Sequence, residues 1–211
     1  ISKPIRFWAT PDTKTAWLRL SNLGVNYINT DKPALANQYL KAIEKNTYHL
    51  ANKVEAYQPK YDYDEDQQPQ NIILMIGDGN GLAQISATMI ANRGELTVTK
   101  IKNIGLIKTA SEDNLITDSA AGATAMATGV KTNNRAIGVD SEGKKLNNLI
   151  NITKASNFNT AIVSTDAIYG ATPSSFFAHR TERDDTKGLV TDLKGSKLDF
   201  FIAGGRNQEK N

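Results

Sequence analysis

The chain has 211 residues, of which 39% are hydrophobic, 22% charged and 7% aromatic, the balance of a soluble globular protein rather than a disordered one. A net charge of +3 is too small to make nucleic acid or an anionic membrane the main partner. The absence of cysteine removes disulfide frameworks, thiol nucleophiles and cysteine-ligated zinc together.

In chain order, residues 1–57 form a first zone. Ile5, Phe7 and Trp8 predict a short strand that ends in a turn over residues 9–12. Ala16, Trp17, Leu20 and Leu23 recur at helical spacing over residues 13–23, and Gly24 suits the helix end. Residues 25–28 predict a second strand, and Asp31 with Pro33 a second helix start. This is the βα rhythm of a parallel sheet or barrel. Residues 58–70, QPKYDYDEDQQPQ, carry two prolines and no aliphatic core residue, and read as a linker. The alternative, an acidic metal loop from Asp62, Asp64, Glu65 and Asp66, is disfavoured because the prolines restrict it and no glycine turns it.

Residues 71–211 are again α/β. Residues 72–76 form a continuous apolar run of the kind buried on both faces of a sheet. A helix is expected over 82–92, a strand over 104–107, a small-residue helix over 119–128 and a helix over 146–156. A buried strand follows over 160–164, a helix over 174–183 and a strand from 200 to 203. The expected architecture is an open, mostly parallel sheet with helices on both faces. No apolar run approaches the ~18 residues that span a bilayer. The chain opens on Ile1 with no charged-then-apolar signal pattern, and reads as an excerpt of a longer protein.

Chemistry in such sheets gathers at the carboxyl ends of strands. Asp78 follows one such strand, between glycines that let a metal or phosphate approach the backbone; its plain alternative is to cap the next helix. Asp118 and Ser119 open the small-residue helix, where amide N–H groups favour an anion; here the alternative is an ordinary Asp-capped helix. Ser119 has no histidine base legible in the sequence, so as a nucleophile it needs a metal to activate it. Thr172 precedes Pro173 and is expected to be extended, a place for a hydroxyl metal ligand or a helix cap. Arg183 has the planar fork for a phosphate, or is a solvated surface charge. His179 reads as structural rather than a ligand, and His49 receives no role.

Three segments in this order resemble the alkaline phosphatase family. They are NIILMIGDGNG at 71–81, TDSAAGATAMATGVKT at 117–132 with AIGVD at 136–140, and ATPSSFFAH at 171–179. The resemblance runs from about residue 70 to 211, the first part of the family's catalytic domain. It implies a metal-dependent phosphomonoester hydrolase working through a phosphoserine. Ser119 would be the nucleophile, Asp78 a carboxylate shared by Mg2+ and one of two Zn2+ ions, and Thr172 a Mg2+ ligand. Arg183 would clamp the phosphate, oriented by Asp118. It implies a phosphate monoester as partner, a periplasmic or extracellular setting, and leaves a homodimer open. Gly170 departs from the pattern, since relatives usually carry Asp or His there. The two histidines lie in no zinc motif, so the zinc ligands are expected outside these residues and the 211 residues alone to be essentially inactive.

Residues 4–12, PIRFWATPD, and 23–31, LGVNYINTD, resemble the last two βα units of a glycerophosphodiesterase-like or phosphatidylinositol phospholipase C-like barrel. That implies a phosphodiester-cleaving piece at 1–57, a linker at 58–70 and the phosphatase piece at 71–211. The competing readings are a phosphodiesterase or sulfatase of the same superfamily, and a non-catalytic phosphate- or metal-binding module.

Overall fold

The spacing of Ala16, Trp17, Leu20 and Leu23 is realised as helix α1 (Lys14–Asn22), opened by Thr13, whose hydroxyl accepts from the Ala16 amide at 3.2 Å. Leu23 ends the helix and Gly24 follows at φ +72°, the left-handed position that a glycine enters without a Cβ clash. The structure, a computed structural model, describes residues 3–47, 50–61 and 66–205. The chain divides into two compact units, Ile1–Tyr61 with Leu82–Ile101 and Asp62–Gly81 with Lys102–Asn211. His49, Asp62, Asp64 and Glu65, and so part of the linker expected at 58–70, lie outside the described residues.

In the first unit, buried Trp17 meets Tyr39 of helix α2 (Pro33–Asn46) with ring centroids 6.3 Å apart. Pro33 opens α2 as expected, but Asp31 does not cap it. Lys32 stands at the cap without a side-chain bond, and the Asp31 amide instead donates to the Asp12 carboxylate. The two strands expected near residues 5–8 and 25–28 are reduced to one parallel bridge, Arg6 to Tyr27. Ala9, at φ +56°, turns the chain directly after the first, and no third strand flanks the pair among the described residues. Helix α3 (Leu82–Ala91) ends at Asn92, whose buried amide bonds both backbone groups of Val54 and the Glu95 carbonyl. A 3-10 turn, Thr97–Lys100, follows.

The second unit is built on α4 (Ser119–Thr128), α5 (Leu149–Ala155), β1 (Ala161–Ala167), α6 (Ala171–Ser174), α7 (Thr186–Gly195) and β2 (Phe200–Gly204). Strands β1 and β2 pair in parallel, Ala161 opposite Phe200 and Val163 opposite Ile202, with α6 and α7 in the crossover. Parallel neighbours require such a connection, because a two-residue hairpin only joins antiparallel ones. The core gathers Ala120, Ile137, Ile150, Ile168, Ala171, Phe177, Ala178 and Leu189. Fully burying a side chain such as Ile137 or Leu189 stabilises by about 1.5–3 kcal/mol, against roughly 0–1 kcal/mol for an exposed ion pair. Apolar packing therefore holds this unit.

Three expectations are corrected here. The apolar runs 72–76 and 104–107 enter no strand ladder, and Ile73 and Leu106 are 85% and 96% exposed. A strand buried on both faces needs a neighbour on each side, and the sheet has two strands among the described residues. The helix expected over 174–183 is instead the short α6, a turn, and an antiparallel bridge between Arg180 and Ile137. Helix α5 starts late, at Asn148, whose side chain accepts from the Asn151 amide. No helix among the described residues is long and apolar enough to cross a membrane.

Small residues let α4 approach its neighbours. Ala120, Ala121, Ala123, Thr124 and Ala127 are all buried. Thr124 accepts from the Gly138 amide at 2.9 Å and donates to the Ala136 carbonyl at 3.2 Å, tying α4 to the loop that packs on residue 178. Gly138 has φ +58°, and a Cβ there would lie 2.0 Å from the Ala178 carbonyl oxygen. Gly138→Ala should therefore destabilise by at least about 3 kcal/mol, overpacking and left-handed strain combined, read from the urea midpoint.

Asp199 joins α5 to the start of β1. It accepts from the Lys154 ammonium at 2.8 and 2.9 Å, the Thr160 amide at 2.7 Å and the Thr160 hydroxyl at 3.1 Å. The Lys154 contact, then the Thr160 amide, holds its carboxyl below the usual range. A depressed carboxyl pKa contributes stability above its unfolded value, and loses it as pH falls through the folded value. Asp199→Asn should lower the urea midpoint at pH 7, with the gap to the parent protein closing as pH drops below about 4.

Candidate active site

Asp78 stands in a tight turn, with the Asn80 amide bonded to the Gly77 carbonyl at 3.2 Å and Gly79 at φ +65°. Ser119 is the first residue of α4, as its neighbour Asp118 caps the helix by accepting from the Ala121 amide at 2.9 Å. Thr172 lies in α6, just past the end of β1. It is helical rather than extended, because the first turn of a helix leaves its N–H groups without intrahelical partners and Pro173 there forfeits none. Burial of Ala171, Pro173 and Ser174 fixes that turn and turns Thr172 outward.

These three elements converge on one carboxylate. The Ser119 hydroxyl donates to Asp78 Oδ1 at 3.0 Å and the Thr172 hydroxyl to Asp78 Oδ2 at 2.8 Å, across 41 and 94 residues of sequence. A carboxylate only accepts, so both hydroxyls donate to Asp78 and the lone pairs of Ser119 are not used in that bond.

Asp118 makes the second junction. Its Oδ1 caps α4, while Oδ2 accepts from the Arg135 amide at 3.0 Å and from Arg183 Nη1 at 3.3 Å. Arg183 is thus beside the start of α4, with the rest of its fork beyond that one contact. His179 is structural, its ring nitrogen Nε2 bonded to the Leu146 carbonyl at 2.9 Å and its amide to Asp192.

Arg135, Glu182 and Asp184 form a further cluster that no sequence motif marks. Arg135 donates from Nε to both Glu182 oxygens, at 3.1 and 2.9 Å, and from Nη2 to Glu182 at 2.7 Å and to Asp184. The Arg135 hydrogen bonds, ahead of the Asp184 amide, hold the Glu182 carboxyl below the usual range. Arg135 has φ +73°, a conformation costing a non-glycine residue roughly 1–2 kcal/mol. The three side chains are 50%, 47% and 75% exposed, so their ion pairs contribute no more than about that cost. The signal for this cluster in the sequence is the charged run Glu-Arg-Asp-Asp at 182–185, whose counter-charge Arg135 lies far off in the chain.

Asp78, Ser119 and Thr172 form a set of hard oxygen donors, suited to Mg2+. Among the described residues no group of three or more His, Asp or Glu side chains could hold a metal, so a Zn2+ site of three or four protein ligands does not fit them. At Gly170 a Cβ would fall 1.8 Å from Asp166 Oδ2; the carboxylate of the preceding strand fills the space that a side chain would take.

The family model for alkaline phosphatase matches residues 69–200, and that of the glycerophosphoryl diester phosphodiesterase family matches residues 4–34. Alkaline phosphatase 4 of Bacillus subtilis is 37% identical over 153 residues, which cover 65% of this chain and 33% of the relative. The solved alkaline phosphatase of the Antarctic bacterium TAB5 is 45% identical with a TM-score of 0.64, over 67% of this chain and 42% of that one. A variant of that enzyme, solved with magnesium bound, aligns at a TM-score of 0.59 and 45% identity over 62% of this chain and 38% of its own. The chain therefore spans about a third of the length of the curated relative. With the family model covering the whole stretch from the Asp78 turn to β2, and a solved enzyme of the same fold sharing nearly half its residues there, this chain belongs to the alkaline phosphatase family.

Proposed function

We propose that the protein carrying this chain hydrolyses phosphate monoesters through a phosphoserine on Ser119. The observation that carries the reading is the hydrogen bond from Ser119 to Asp78, at the amino end of α4 and beside Arg183. In the first step Ser119 Oγ bonds to phosphorus as the ester P–O bond breaks, and the serine proton passes overall to the departing alcohol. Water then cleaves the Oγ–P bond, restoring the serine hydroxyl and releasing phosphate. Asp78 orients the attacking hydroxyl, the amino end of α4 favours the phosphoryl charge, and Arg183 offers the phosphoryl oxygens the part of its fork that does not bond Asp118. Asp118 holds that fork in register.

Asp78 and Thr172 are the residues that would hold Mg2+, which when bound neutralises the charge gathered beside the phosphoryl group. Beyond Asp78, the zinc ligands implied by the family resemblance are not found among the described residues. Without them the 211 residues alone are proposed to be inactive, in a protein whose setting is periplasmic or extracellular. The match at residues 4–34 supports the further reading that an adjoining phosphodiesterase segment supplies monoesters to this site. Full-length protein that releases no phosphate from glycerophosphodiesters would remove that reading and leave the monoesterase untouched.

In the full-length protein, Ser119→Ala should lower p-nitrophenyl phosphate turnover by on the order of a thousandfold or more. Acid quenching after a radiolabelled phosphate monoester should trap label on the parent protein and none on the variant; label retained by Ser119→Ala refutes the assignment. Arg183→Ala should raise KM by about 10- to 100-fold, the loss of a charge-assisted contact.

A further inference from the structure

Arg183 lies between two acids in the chain, Glu182 and Asp184. An anion-binding guanidinium flanked by two carboxylates has internal competitors, and their charge repels the anion it is meant to hold. In the structure both carboxylates are turned onto Arg135, Glu182 through both oxygens. The contact seen for Arg183 among the described residues is the one to Asp118. The amide of the same Arg135 bonds that Asp118, so one residue touches both sides of the Arg183 environment.

We propose that Arg135 is a positioning residue which neutralises Glu182 and Asp184, and so keeps the Arg183 guanidinium available to an anion beside Ser119. The proposal rests on the reading of Arg183 as the phosphate-binding residue. Its physical content is a competition. Take Arg135 away, and Arg183, the next residue along the chain from each acid and a charge that already acts on Glu182, becomes a competing partner for the freed carboxylates. Arg135 also occupies a left-handed backbone position that a glycine adopts without strain. Glycine there relieves the backbone strain and removes the guanidinium together, so it should leave stability intact while taking away the neutralising charge.

The test uses the full-length protein, with inorganic phosphate as inhibitor and p-nitrophenyl phosphate as substrate. Arg135→Gly should raise both the phosphate inhibition constant and KM roughly tenfold at low salt. The melting temperature should hold or rise, and the effect should shrink at 1 M salt. Restoring neutrality in Arg135→Gly/Glu182→Gln/Asp184→Asn should return both constants to within about twofold of the parent. Failure of that rescue overturns the neutralising role. If Arg135→Gly leaves both constants unchanged while Arg183→Ala raises them, this proposal falls and the phosphate role of Arg183 stands. If Arg183→Ala also changes neither, the reading of Arg183 falls and this proposal with it.

Discussion

The carboxylate of Asp118 is the contact on which the rest of the site depends. One oxygen satisfies an amide at the start of α4, and the other holds the Arg135 amide and the Arg183 guanidinium. A side-chain cap of this kind stabilises a helix by about 1 kcal/mol, a modest figure. Its larger consequence is geometric. Ser119 is the next residue, so the angle at which α4 begins is the angle at which the hydroxyl is presented. The Asn134 loop reinforces the same point: its side chain accepts from the Asp118 amide and donates to the Ile116 carbonyl, while its own amide is held by Asp113.

Packing behind α4 keeps that geometry. The helix is too rich in alanine to bury much apolar area by itself, and it gains its place by close approach instead. Thr124 supplies the polar lock to residues 136 and 138, and Ser175 bonds the carbonyl of Ala171 one turn back. Gly138 is where that lock meets the backbone of Ala178 with no room for a methyl group. The site therefore rests on a rigid base of small residues, with its charged groups at the rim.

The sheet is the less finished part of the second unit. Its described strands are β1 and β2, and large apolar side chains on them, Val163 and Ile202, are more than half exposed. The runs at 72–76 and 104–107 carry the composition of interior strands without interior surroundings. Such runs encode a preference for burial on two faces, and that preference is met only by neighbouring strands. The same separation applies to metals: hard oxygen donors of the kind Mg2+ takes are gathered here, whereas a Zn2+ site of three or four protein ligands does not fit the described residues.

Sequence alone determined the features whose causes are local. Asp118 caps a helix whose first residue is Ser119 because a short acceptor side chain before a run of alanines satisfies the free amides within three residues. Thr13 and Gly24 bracket α1 for equally local reasons, and the family motifs could be read from residue order. Tertiary structure decided what depends on partners far along the chain. Thr172 became helical because burial of its neighbours outweighed the local bias of a residue before proline. Asp78 acquired its two hydroxyl donors from segments 41 and 94 residues away. The acids at 182 and 184 meet their counter-charge in a left-handed arginine nearly fifty residues upstream. A charge run states its sign in the sequence; which counter-charge it meets is set only when the backbone closes.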